Sequence, residues 1–141
     1  MEELLDQLAR SGDGSLRQTL LDELGTALDV HLTFEESEIH PMVVVIDERV
    51  AADATSEHAL LRTAFEDLQQ HDEVGAGDFA AAVDRLTAGL SRHAADEEFD
   101  AFPRLRLEVD VIVLDALGEH LLAAHRAASG QALISADQPP I

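Results

Sequence analysis

A chain of 141 residues is long enough for one sizeable core and too short for two ordinary domains, and it has no cysteine, which excludes disulfides, thiolate metal sites and cysteine nucleophiles together. Its formal charge is −20 and every one of its nine basic side chains is arginine, a field that attracts cations and makes nucleic acid and anionic membranes poor partners. Tyrosine and tryptophan are absent, so no radical can be held on either ring, and with no membrane-length apolar run and no basic-then-apolar leader the expected compartment is the cytoplasm.

Apolar positions recur at helical spacing almost throughout, so the expected fold class is all-α. Leu4, Leu5 and Leu8 begin a short first helix that fails at Ser11-Gly12-Asp13-Gly14. Ser15 reads as the N-cap of a second helix, with Gln18 completing a capping box, and Leu20, Leu24, Leu28 and His31 form one stripe along it. Pro41 should kink or interrupt that helix near its end. The β-branched run from Val43 to Ile46 reads as helix to about Arg49, because a lone short strand would have no partner. Ala51 to Thr55 is expected to be a connection, with Ser56 capping a third helix that carries His58, Leu61, Phe65 and Leu68 on one face and ends near His71. After Gly75-Ala76-Gly77, Asp78 is expected to cap a fourth helix with Val83, Leu86, Leu90 and His93 on a shared face. A last amphipathic helix should run from about Val109 to Ala128, before a fraying tail that ends Gln-Pro-Pro-Ile.

The chain also repeats itself. HLTFEESEIHP (His31 to Pro41) and HAADEEFDAFP (His93 to Pro103) each open on histidine, place a Glu-Glu pair one turn later and close on proline. Each half has a helix, a Gly-x-Gly loop and a longer helix bearing this motif. Duplication on this scale predicts an antiparallel up-down four-helix bundle over residues 1–130, with a short additional C-terminal helix and a tail over 131–141.

Residues four apart on a helix share a face, so His31 with Glu35, and His93 with Glu97, should point into the bundle along with the apolar stripes they continue. His58 lies on the inward stripe of its own helix. One histidine on an apolar face is more often a core residue than a ligand. Several carboxylates buried together are different, since each costs several kcal/mol to desolvate without a cation. Imidazole with carboxylate, and no thiolate, suits iron, manganese or zinc. No Glu-x-x-His, His-Glu-x-x-His or His-x-x-x-His occurs, and the two His-x-x-x-Glu pairs are the two repeat copies.

At these residues the chain resembles the hemerythrin-like, or HHE cation-binding, domain family: His31-x-x-x-Glu35-Glu36 followed by Pro41, Glu57-His58 at a helix start, and His93-x-x-x-Glu97-Glu98 leading into Phe102-Pro103. The resemblance implies a four-helix bundle holding two iron ions in a non-haem di-iron centre, with zinc or manganese as other occupants. His31, Glu35, His58, His93 and Glu97 would be the metal ligands, Glu35 and Glu97 bridging, with Glu98 ranked behind Glu97. It further implies a small gas or peroxide as ligand, so that dioxygen binding, nitric oxide sensing and catalase-like peroxide handling are the expected functions. Iron storage or buffering, a structural cation site and a degenerate interaction module are the alternatives, and no protein partner is indicated. Some relatives carry a second histidine where this chain has Arg62, which is expected to pair with a glutamate near the site. Aligning Leu4-Leu5-x-x-Leu8 with Ala64-Phe65-x-x-Leu68 puts the counterpart of His58 two residues before Met1, so a truncated first helix is expected. His40 and His71, near helix ends, and His120 and His125, in the last helix, are expected to be structural or surface residues.

Overall fold

The computed structural model describes residues 1–12, 14–71 and 76–136, and among these residues there is helix and no strand. The α-helices in chain order are α1 (Glu2–Arg10), α2 (Gly14–Phe34), α3 (His40–Ile46), α4 (Glu48–Gln70), α5 (Ala76–Asp96), α6 (Phe102–Glu108) and α7 (Val111–Ala136). A π-helical turn at Glu35–Ile39 joins α2 to α3, and a second at Glu97–Ala101 joins α5 to α6. The two repeat copies therefore share one backbone pattern as well as one sequence pattern.

Proline explains the π turns. Pro41 and Pro103 stand in the first turn of α3 and α6. Neither can donate to the carbonyl four residues back, and each ring would clash with that carbonyl in a regular helix. The chain widens by one residue instead: His40 N–H bonds to the Glu35 carbonyl and Phe102 N–H to the Glu97 carbonyl, five residues back in each case. The expected interruption at Pro41 thus takes the form of an inserted residue beginning at a glutamate of the motif.

Several expected boundaries are corrected. α1 ends where predicted, with the Ser11 hydroxyl donating to the Leu8 carbonyl at 2.7 Å. α2 starts at Gly14, which places Ser15 inside its first turn rather than at its N-cap, and the Gln18 amide donates forward to Asp22 at 2.8 Å. The position before Gly14 lies outside the described residues. The helix expected through Arg49 stops at Ile46, because Asp47 adopts an extended backbone and caps α4. Its carboxylate accepts from the Arg49 and Val50 amides at 3.0 and 3.3 Å. Ala51 to Thr55, expected to be a connection, is helical; nothing in that alanine-rich stretch opposes helix, and the Ser56 hydroxyl bonds back to the Ala52 carbonyl rather than capping. Asp78 falls in the first turn of α5, where its charge meets the helix dipole favourably. The additional C-terminal helix is present but not short: α7 is 26 residues long and continues past Ala128.

Two apolar clusters hold the bundle. The larger joins Leu5 and Leu8 of α1, Leu21, Leu24 and Leu32 of α2, Leu61 and Leu68 of α4, and Phe79, Val83 and Leu86 of α5. The smaller joins Val43 of α3, Ala51 of α4 and Leu105 of α6. α2 and α4 approach closely at Gly25, where a β-carbon would stand 2.8 Å from the Phe65 ring. α4 lies along α5, and α7 lies along α2. On α4, His58 lies between Ala51 of the smaller cluster and Leu61 of the larger; His31 stands near the end of α2, Glu35 opens the π turn that follows, and His93 stands near the end of α5. Glu35, His58 and His93 are buried and form a polar layer in the bundle.

Candidate metal centre

All five side chains singled out by the motif converge in that layer. His31, Glu35, His93 and Glu97 offer donor atoms that all lie within 4.8 Å of one another. Glu35 is the hub: its Oε1 is 2.9 Å from His31 Nε2, and its Oε2 is 3.1 Å from His58 Nε2 and 3.2 Å from His93 Nε2. His93 Nε2 also faces Glu97 Oε2 at 3.7 Å. Glu35, His58 and His93 are buried, whereas the His31 side chain is 20 % exposed and that of Glu97 13 %. The cluster accordingly has one open edge, along His31 and Glu97. Glu98, one residue on, is exposed.

A further ring of carboxylates orients the imidazoles. His58 Nδ1 donates to Glu36 Oε1 at 3.0 Å, and His93 Nδ1 donates to Glu57 Oε2 at 3.1 Å. Glu36 is held in turn by the two guanidinium nitrogens of Arg62, at 2.6 and 3.0 Å, which is the pairing expected of Arg62. Fixing Nδ1–H outward leaves each Nε2 facing the centre, the arrangement by which carboxylates orient metal-binding histidines. The repeated motif by itself does not mark Glu36 and Glu57 for these roles. The available signal was adjacency, since each is the immediate neighbour of a motif residue, Glu35 or His58. His40, expected to be structural or at the surface, is buried with its ring 4.7 Å from that of His58. His71 instead closes α4, its Nδ1 donating to the Asp67 carbonyl at 2.7 Å, and His120 is exposed.

Without a metal ion, protons and hydrogen bonds set the charges of the cluster. Burial works to neutralise Glu35, but the three histidines that face its oxygens, His31, His58 and His93, outweigh it and hold the carboxyl well below the usual range. Burial and the neighbouring Glu35 charge push Glu97 up to about 7. Burial, with Asp96 close by, also raises Glu57. Burial opposes a charge on His93, yet Glu35, Glu97 and Glu57 together push it up to about 9. His40 moves the other way, lowered first by burial and then by the charge of His58.

His58 supplies the sharpest test of whether a metal fits. Its Nε2 is buried and has no aligned hydrogen bond, although Glu35 Oε2 is 3.1 Å away. A metal cation between the two atoms would give both a partner. The residues present fit a cation, and the imidazole–carboxylate donor set suits iron, zinc or manganese.

A helical bundle that brings histidines and glutamates from three helices to one buried point defines a cation-binding helical protein. The family model described as Hemerythrin HHE cation binding domain matches residues 1–105. The chain belongs to this hemerythrin HHE cation-binding family. No match is found among curated proteins or among solved structures. Among the described residues, no helix is long and apolar enough to cross a membrane.

Proposed function

We propose that His31, Glu35, His58, His93 and Glu97 hold two iron ions, and that this di-iron centre engages dioxygen, peroxide or nitric oxide in an oxidative or nitrosative stress response or in sensing. The observation that carries the reading is the convergence of three imidazole Nε2 atoms on the two oxygens of one buried carboxylate, Glu35. A carboxylate whose separate oxygens face different imidazoles is disposed to bridge two ions, and Glu97 stands beside it as the second candidate bridge. The ions would supply redox chemistry and an open coordination position. The chain's own part is to orient the ligands through Glu36 and Glu57, to exclude water with the flanking leucines, and to leave the edge at His31 and Glu97 open to a small molecule. A cytoplasmic setting belongs to this reading, and the −20 charge disfavours nucleic acid and anionic membranes as partners.

Anaerobic loading with ferrous iron followed by metal analysis tests the site. The expected result is two irons per chain, with His31→Ala and His93→Ala each losing metal; unchanged stoichiometry in both variants would overturn the ligand assignment. Exposure of the loaded protein to oxygen or peroxide then tests the activity. Rapid peroxide loss marks turnover, a new charge-transfer band without peroxide loss marks ligand binding, and neither change leaves iron storage or buffering as the reading.

A further inference from the structure

A cavity of about 220 Å³ lies between the end of α2, α6 and α7. Its walls are apolar, built from Phe34, Ile39, Phe102 and Leu105 and, on α7, Leu117 and Leu121. Two charged residues also line it. Glu35 is buried and marks the inner end; Arg106 is exposed and marks the mouth. A dry apolar cavity of roughly 150 Å³ takes a benzene-sized molecule, so this one has room for somewhat more.

Arg106 is unlike most arginines of this chain. Arg10, Arg49, Arg62, Arg85 and Arg104 each pair with a carboxylate. No ion pair or hydrogen bond joins Arg106 to another described residue, in a protein with 29 acidic side chains. A guanidinium left unpaired beside an apolar cavity presents a planar fork of donors that matches a carboxylate.

We infer that this cavity is a binding site for a small aliphatic monocarboxylate of about six to eight carbons, its chain among the α6 and α7 side chains and its carboxylate on Arg106. A monoanion suits the site better than a phosphate, because the −20 field penalises each added negative charge. The inference does not rest on the di-iron reading. It would place an organic molecule against Glu35, the residue at the hub of the His/Glu cluster.

Titration of the full chain with hexanoate, hexan-1-ol and hexylammonium, followed by calorimetry and by the amide signal of Gly118, tests it. Hexanoate is expected to bind one to one, and hexanol about tenfold or more weakly for want of the Arg106 contact. Arg106→Gln should weaken hexanoate by a similar factor and leave hexanol unchanged. Gly118 lines the same cavity, and a β-carbon there meets nothing within 4 Å, so Gly118→Leu should fold normally and abolish binding of both. Equal affinity for hexanoate and hexanol, tighter hexylammonium binding, or no effect of Arg106→Gln would each overturn the carboxylate assignment. Absence of any binding would overturn the site. Hexanoate should bind equally before and after chelation of metal; loss on chelation would assign the carboxylate to a bound ion and overturn the Arg106 contact.

Discussion

At the scale of single residues, the centre is a set of protons awaiting displacement. In the metal-free chain His93 is pushed up to about 9, against burial, by Glu35, Glu97 and Glu57, and Glu97 is pushed up to about 7 by burial and by Glu35. Both raised groups keep protons in the fold that the unfolded chain has already released. Their contribution therefore favours the metal-free fold at low pH and is lost as pH rises, across the window from 4.5 to about 7 for Glu97 and from 6.5 to about 9 for His93. Glu35, lowered by its three histidines against burial, acts oppositely: its contribution is present above 4.5 and fades only in acid. A cation needs neutral imidazoles and ionised carboxylates, so its entry must expel the protons on His93 and Glu97. Affinity for ferrous or zinc ion should rise steeply from pH 6 to about 9 and then level off, with proton release visible as buffer-dependent calorimetric heat at pH 7. Equal affinity at pH 6 and 9 would contradict this account. These two groups were visible in the sequence as His-x-x-x-Glu. The stacking of His40 on His58 was not, because it depends on how far α3 turns back over α4.

At the scale of elements, Asp47 and the two prolines decide how the layer is built. Asp47 ends α3 and begins α4, with its carboxylate on two free amides and on Arg104 at 2.9 Å. Asp47→Ala should cost about 1 kcal/mol and lower Tm by about 4 °C, with Asp47→Asn restoring most of the loss and metal content unaffected. An unchanged melting temperature would show that the cap contributes nothing. This junction was misread from the sequence because Ser56 and Asp47 carry equal capping propensity; what decides between them is which one is followed by amides left unpaired. The π turns were half legible. Pro41 announced a disturbance, but where the extra residue enters, at Glu35 and again at Glu97, depends on both segments having to continue into short helices that pack on each other.

At the scale of the whole molecule, the −20 charge is a load on the fold that the few arginine pairs do not relieve. Raising sodium chloride from about 0.01 M to 1 M shortens the Debye length from about 30 Å to about 3 Å and should raise Tm of the metal-free chain by several degrees. A fall would mean that ion pairs such as Arg62–Glu36 outweigh the repulsion. By itself the sequence determined the all-α class, the inward stripes and the identity of the five residues that meet, because helical period and a duplicated motif are local properties that need no partner to be read. Only the tertiary structure decided that Glu35 is the hub, that Glu36 and Glu57 aim the imidazoles, and that α7 walls an apolar cavity against Glu35. Those depend on the relative rotation and depth of helices far apart in the chain, which packing sets and periodicity does not encode.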